Sequence, residues 1–310
     1  MSKQRIAVSG ASGFIGHHVL SALRGHDVDV VAVTRDPARL ADPGLASSVV
    51  SLDMDNPGDD CFERLGRPDV LIHLAWGGLP NYRSSSHVER ELPRQFRFLT
   101  SMVEGGLKNM LVTGTCFEYG MQSGSLSEDM DTTPDNPYGR AKDALRKKLE
   151  MLKRDTPFSF TWARLFYTFG EGQPGSSLYP QLRAAVSRGD SMFNMSGGEQ
   201  LRDYLRIEEV ARLLSLMAVS NMDAGCVNVC AGKPVSVRKL VEAWIEENHW
   251  LIKPNLGHYP YPDYEPMAFW GSRKKLERYL DFRGNRSARI GSPSGSMIND
   301  TETQQTTGGP

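Results

Sequence analysis

The chain has 310 residues, with 36 basic and 37 acidic side chains and a formal net charge of −1. That length supports one large domain or two intertwined ones with a sizeable core, and the balanced charge argues against nucleic acid or an anionic membrane as a partner. The start, MSKQRIAVSG, runs straight into a short apolar segment, and no apolar run approaches the ~20 residues of a membrane helix; the reading is a soluble, cytoplasmic protein.

Ile6-Ala7-Val8 reads as a buried strand, followed by G-A-S-G-F-I-G with glycines at Gly10, Gly13 and Gly16. Phe14, Ile15, Val19, Ala22 and Leu23 then recur at roughly helical spacing until Gly25. Strand, glycine turn and helix are the context in which such a motif carries meaning. The first glycine permits a tight turn, and the second lets backbone amides approach a pyrophosphate at the positive end of the helix. The third allows close helix–sheet packing. Gly10, Ser12, Gly13, Phe14, Ile15 and Gly16 are therefore the expected cofactor contacts here.

Val28 to Val33 is the second strand, and its end bears on the choice of cofactor. An enzyme that uses NAD usually carries Asp or Glu about 20 residues past the glycines, to hold the ribose hydroxyls. Here stand Thr34 and Arg35, with Asp36 one place later. A neutral residue followed by a guanidinium suits a 2'-phosphate, with Arg39 as a second contact. The other reading leaves Arg35 in solvent and puts Asp36 on the ribose; NADP(H) is favoured over NAD(H).

Val49 to Leu52 is a third strand ending at Asp53, which is placed to accept from an adenine amine. Asp69 to Leu74 is a fourth, and Leu74, Ala75, Trp76 and the glycines after them leave room for a flat dinucleotide. His73 reads as a packed residue, not a base. The polar loop from Leu79 to His87, carrying Tyr82, reads as the rim of a substrate cleft. Val88, Leu92, Phe96, Leu99 and Val103 then predict a helix, with Pro93 a kink or a late start.

Asn109 to Thr113 is the fifth strand, with Thr115 at its end. Tyr138 and Lys142 are four residues apart, so on a helix they share a face. A phenol, an ammonium and a second hydroxyl form a proton-transfer set suited to carbonyl/alcohol interconversion. Tyrosine titrates near ~10, and each unit of depression is about 1.4 kcal/mol. Bringing it near neutrality needs about 4 kcal/mol, which a close lysine in a partly desolvated site is expected to supply. The basic residues that follow (Arg146, Lys147, Lys148, Lys153 and Arg154) read as a solvated face. Phe158 to Ala163 is the sixth strand.

This alternation predicts an α/β fold: a Rossmann-type doubly wound parallel sheet with right-handed crossovers and ligands at the strands' carboxyl ends. Beyond Phe166 the texture changes. Gly170 to Gly175 is a loop, Leu178 to Val186 a short helix and Met192 to Met195 an isolated strand. GEQLRDYLRIEEVARLLSLM gives a loop feeding an amphipathic helix. Cys226 to Val229 is a strand, and helices follow at Val237 to Glu247 and Arg273 to Leu280. Residues 1–168, with 201–227 returning, are expected to form the dinucleotide-binding domain, and residues 169–200 and 228–282 a smaller α/β substrate-binding lobe. Residues 283–310 have little to bury and are expected to be a disordered tail. Cys61, Cys116, Cys226 and Cys230 form no C-x-x-C pair and read as reduced, mostly buried residues, with no metal expected.

Taken together, GASGFIG, Asp53, HLAW (His73 to Trp76), TGTCFEYG (Thr113 to Gly120), NPYGRAK (Asn136 to Lys142), RLFYTFG (Arg164 to Gly170) and the RDY of Arg202 to Tyr204 carry a resemblance. From about residue 3 to 282 the chain resembles the extended short-chain dehydrogenase/reductase family, in the branch that modifies nucleotide sugars. The resemblance implies that Tyr138 is the general acid/base, that Lys142 lowers its pKa and holds the nicotinamide ribose, and that Thr115 orients the substrate oxygen. It also implies cofactor contacts at Thr113, Tyr138 and Lys142, an Arg202 near the substrate diphosphate, and a homodimer packed through the helices near 88–106 and 138–154.

Departures from the family patterns narrow the chemistry. Sugar 4,6-dehydratases follow the threonine with an Asp-Glu pair, where this chain has Cys116 and Phe117. The 3,5-epimerising relatives use a cysteine and a histidine, and no histidine lies in the stretch from Phe166 to Gln173. The 4-epimerases mostly show an acidic residue where Thr34 stands and an asparagine where Tyr167 stands. What remains is an NADPH-dependent 4-ketoreductase acting on a nucleotide-linked 4-keto-6-deoxyhexose, with Glu118, Tyr119, Tyr82 and Tyr167 as sugar contacts. An NAD-dependent nucleotide-sugar 4-epimerase is the alternative. A dinucleotide-binding protein without chemistry is a third reading, against which Tyr138 and Lys142 both stand.

Overall fold

The computed structural model describes residues 3–221 and 223–281; the tail expected from residue 283 lies outside the described residues. Seven strands build the central sheet: β1 (Gln4–Ser9), β2 (Val28–Thr34), β3 (Ser48–Ser51), β4 (Val70–His73), β5 (Asn109–Thr115), β6 (Ser159–Leu165) and β7 (Gly225–Val229). They lie in the order β7-β6-β5-β4-β1-β2-β3, and every pairing is parallel. The order reverses between β1 and β4, and a doubly wound sheet opens a crevice for ligands at the strand ends beside such a reversal.

Strand periodicity of two decides which helices cover which face. Ile6 and Val8 of β1 join the core under α1 (Phe14–Leu23). Ala7, between them, joins the opposite core under α2 (Leu92–Glu104) and α3 (Pro137–Asp155). Both faces of the sheet are thus buried, which is why its strands read as unbroken apolar runs. A π turn over His87–Glu91 leads into α2, and Pro93 stands in the first turn of α2, where a missing N–H costs least.

The later chain supplies α4 (Leu178–Ser187), α5 (Ile207–Val219) and α6 (Val237–Glu247). Helix α5 returns to the sheet and shares the core of α1. Helices α4 and α6 enclose a separate core containing Leu182, Val241 and Trp244 with Phe169, Phe193 and Ile252; fully burying such a side chain contributes roughly 1.5–3 kcal/mol. Two details differ from the sequence reading. The strand Met192–Asn194 is not isolated, because Lys253–Asn255 pairs with it in parallel. Leu201–Arg202 and Tyr204–Arg206 are short strands where a loop was expected, held by Val235–Ser236 and Tyr167–Phe169. The seventh strand ends at Val229, where the sequence reading ends it, paired with Leu165. Among the described residues no helix is long and apolar enough to cross a membrane.

Candidate active site

Beside the reversal in strand order, Gly10 turns the chain with a φ of +74°, and a Cβ there would stand 2.8 Å from the backbone nitrogen of Ala75. At Gly16 a Cβ would stand 2.2 Å from the carbonyl oxygen of Gly10, so any side chain would push α1 off β1. Gly13 caps α1 without a side-chain hydrogen bond, which leaves the first amides of the helix to another acceptor. A cavity of about 270 Å³ opens here, and its lining includes Gly10, Ser12, Gly13, Thr34, Arg35, Asp53, Leu74, Ala75 and Trp76. Cradle, free amides and cavity fit a dinucleotide. Leu74 and Trp76 also line the neighbouring cleft, together with Ile15 and Thr113, so the two spaces meet at these side chains. The side chain of Phe14 lines neither; it packs on the apolar core and edge-on to His18, with ring centres 5.7 Å apart.

At the outer end of this cavity, the hydroxyls of Ser12 and Thr34 are 2.8 Å apart. Asp36 is turned into its own loop, where its carboxylate accepts the Ala38 N–H at 3.1 Å. Asp53 likewise accepts the Asp55 N–H at 3.0 Å. Arg35 and Arg39 both line the cavity, and among the described residues neither makes an ion pair.

Helix α3 starts where Asn136 accepts the Gly139 N–H at 2.8 Å and Pro137 sets the first turn. The Tyr138 N–H donates to the Tyr82 carbonyl at 3.1 Å, which ties the 79–87 loop to the helix. Tyr138, Lys142 and Thr115 all line one cleft of about 620 Å³. The ammonium of Lys142 donates to the Thr113 carbonyl at 2.9 Å and lies 4.1 Å from the centre of the Trp76 ring. The Trp76 indole is itself held, with Nε1 donating to His87 Nδ1 at 3.1 Å while His87 Nε2 meets the Asn81 carbonyl at 2.8 Å. His73 is packed against Ser9, its Nδ1 2.8 Å from the hydroxyl, and burial pushes it down to about 3.

Burial pushes Lys142 down to about 7, against the opposing charges of Glu118 and Glu91. Burial also pushes Tyr138 up, with Tyr82 and Glu118 adding to the effect and the Thr115 hydroxyl pulling the other way. The expectation that Lys142 draws the phenol toward neutrality is therefore corrected. Desolvation of the phenolate outweighs any help from an ammonium that is committed to a carbonyl and an indole. The site presents Tyr138 with its proton held, in the form a general acid requires.

Four expected sugar contacts divide evenly. Tyr82 and Tyr167 line the cleft, with Tyr82 5.6 Å from Tyr138 between ring centres. Glu118 does not, and its assignment is corrected: it is fully buried, accepting from the Thr115 N–H at 2.9 Å, Trp162 Nε1 at 2.9 Å and Arg164 Nε at 2.7 Å. Tyr119 is corrected likewise, since it is fully buried and its hydroxyl donates to Asn228 at 2.8 Å. The cause is the single 3-10 turn Cys116–Tyr119, which Thr115 caps and which carries Glu118 back under the strand end. Arg202 lies in a second cavity with its fork already on Glu265 at 2.9 Å. Glu265, Tyr264, Tyr204 and Gln173 line the cleft as well. The sequence reading missed all four, and the irregular segment that carries Glu265 and Tyr264 offers no periodicity to find them by.

A profile of the NAD dependent epimerase/dehydratase family matches residues 6–230. The dTDP-6-deoxy-L-talose 4-dehydrogenase (NAD(+)) of Aggregatibacter actinomycetemcomitans is 30% identical over 274 residues, covering 86% of this chain and 99% of that protein. The CDP-abequose synthase of Salmonella typhimurium is 27% identical, over 67% of this chain and 68% of that protein. Among solved structures, MoeE5 in complex with UDP-glucuronic acid and NAD superposes with a TM-score of 0.74 at 28% identity, covering 88% of this chain and 91% of that one.

Proposed function

The chain belongs to the NAD dependent epimerase/dehydratase family and is an NAD(P)-dependent enzyme of the extended short-chain dehydrogenase/reductase type; from that premise we propose that it uses NADPH to reduce the 4-keto group of a nucleotide-linked 4-keto-6-deoxyhexose. The observation that carries the reading is the placement of Tyr138, Thr115 and Lys142 in one cleft that meets the dinucleotide cavity at Leu74 and Trp76. When bound, the nicotinamide supplies a hydride. The Tyr138 O–H donates its proton to the carbonyl oxygen of the sugar, and the Thr115 hydroxyl hydrogen-bonds the same oxygen. Lys142 lines the same cleft, its Nζ held by the Thr113 carbonyl and the Trp76 ring. Walls of Trp76, Tyr82, Phe117 and Tyr167 exclude water from the reacting oxygen.

Net reduction is favoured over epimerisation by Tyr167, which stands where the 4-epimerases carry an asparagine, and by the names of two relatives, a 4-dehydrogenase and a synthase. NADP(H) is favoured over NAD(H) by Arg35 and Arg39, which line the cavity without an ion pair among the described residues, and by Asp36, which is already engaged. The proposal places the enzyme in the cytoplasm as a homodimer. Support for the dimer is a groove of about 670 Å³ lined by Val88, Leu92 and Phe96, with Val88 41% exposed; light scattering should give twice the chain mass.

The test is incubation with NADPH and a panel of nucleotide 4-keto-6-deoxy sugars. One cofactor consumed per sugar reduced at C4 supports the reading; no consumption with any of them, together with inversion at C4 of a nucleotide hexose bearing a 4-hydroxyl, would establish the epimerase instead. Tyr138→Phe should abolish turnover and leave NADPH affinity within about twofold, or ~0.4 kcal/mol; full activity in that variant ends the assignment.

A further inference from the structure

The cleft at Tyr138 and the second cavity, of about 340 Å³, share a wall that includes Tyr167, Tyr204, Tyr264 and Glu265. A substrate with its sugar at Tyr138 and its base in the second cavity must lay its anionic linker along this wall. Besides Lys142, Arg202 is the one cation among the described residues lining either space. It is saturated. Its Nε and Nη2 donate to Glu265 Oε2 at 3.2 and 2.9 Å, and its Nη1 donates to the carbonyls of Leu201 and Met267 at 3.0 and 3.2 Å. The guanidinium also stacks over Phe269 at 4.6 Å. A diphosphate arriving here meets a carboxylate already in the fork, and like charges at that range repel.

The two partners are held very differently. Arg202 is 2% exposed and fixed by the carbonyls of Leu201 and of Met267, the anchored last residue of the irregular segment 256–267, whereas Glu265 sits within that segment. Backbone hydrogen bonds anchor its two ends, His258 N–H to the Met195 carbonyl and Leu201 N–H to the Met267 carbonyl, each at 2.9 Å, and between them its outer side is tied down by exposed contacts: Arg83 with Asp263, Arg83 over the Tyr264 ring, and Tyr261 with Glu199. Exposed pairs of this kind hold weakly. Stripping a buried guanidinium of its anion is strongly unfavourable unless another anion takes the place, and a phosphate is the other group an arginine fork fits.

We propose that Glu265 is a stand-in anion which the substrate's diphosphate displaces from Arg202, so that the 256–267 strap yields only to ligands that bring an anion of their own. This rests on the nucleotide-sugar reading above. Exchange in kind keeps the buried guanidinium satisfied throughout. Free sugars and nucleosides, which carry no such charge, leave Glu265 in place, and part of the affinity for the diphosphate is spent on expelling it.

Calorimetric titration of the wild type and Glu265→Gln with thymidine 5'-diphosphate, uridine 5'-diphosphate and the matching nucleosides tests this, with thermal melting as the folding control. The variant should bind the diphosphates at least tenfold more tightly and the nucleosides unchanged. Equal or weaker diphosphate binding by the variant overturns the stand-in role and leaves the substrate reading intact. If neither protein binds any common nucleoside diphosphate, both fall together. Should Glu265→Gln not fold, Arg83→Ala, on the exposed side of the strap, should speed diphosphate association several-fold in stopped flow, and an unchanged rate overturns the inference.

Discussion

Replacing Lys142 with methionine should abolish turnover and yet stabilise the fold. Burial takes this ammonium from its ordinary 10.5 to about 7, and each unit is worth about 1.4 kcal/mol. At pH 7, holding the group inside therefore costs on the order of 4 kcal/mol. Methionine removes that cost but gives up the hydrogen bond to the Thr113 carbonyl, about 1 kcal/mol, and the contact with the Trp76 face, up to about 2 kcal/mol. The expected net gain is about 1–3 kcal/mol. Its sign with pH follows from proton binding: between about 7 and 10.5 the unfolded lysine holds a proton that the folded one releases, so wild-type stability rises with pH across that window. The advantage of Lys142→Met should then be greatest at pH 7 and below, and smaller by roughly 2 kcal/mol at pH 9. Urea unfolding at the two pH values, with an unchanged slope, reads this directly. A variant less stable than the wild type at pH 7, or an advantage that grows with pH, would refute the reasoning.

Arg35→Ala should raise the KM for NADPH by tenfold or more, about 1.4 kcal/mol, and leave that for NADH unchanged; steady-state kinetics with both cofactors checks it, and equal losses would return the guanidinium to solvent. Glu118→Gln should destabilise the protein by on the order of 3–5 kcal/mol, because it leaves the buried Arg164 without its counter-charge. Chemical denaturation measures that loss, and an effect below about 1 kcal/mol would mean the pair contributes little. Gly16→Ala should lose NADPH binding in a fluorescence titration even where the protein folds, since a Cβ there would lie 2.2 Å from the Gly10 carbonyl and displace the helix whose amides face the cavity.

The central sheet was legible because a parallel strand buried on both faces shows itself as an apolar run, and β1, β4 and β5 are such runs. The glycine turn was legible because only glycine fits where backbone meets backbone, as at Gly10 and Gly16. Tyr138 and Lys142 share a face by helix geometry alone. Glu118 was misread as a sugar contact because adjacency to Thr115 was taken as direction. The signal was nonetheless present, since T-x-x-E from Thr115 to Glu118 is the pattern of a capping box, and that box aims the carboxylate inward. Glu265 could not be read at all. Its position depends on a segment without period and on a partner 63 residues away. The raised pKa of Tyr138 was equally out of reach, because desolvation is set by packing from Trp76, Tyr82, His87 and Phe117 and not by the spacing of Tyr138 from Lys142.

The claim on which the rest depends is net hydride delivery to C4 with a proton from Tyr138. Turnover of a nucleotide 4-keto-6-deoxyhexose with NADPH deuterated at the transferable position of its nicotinamide tests it most directly, with the product read by nuclear magnetic resonance. One deuterium on C4 of the sugar for each NADP⁺ formed is the predicted result. A 4-keto sugar recovered without deuterium, with no NADP⁺ formed, would contradict it.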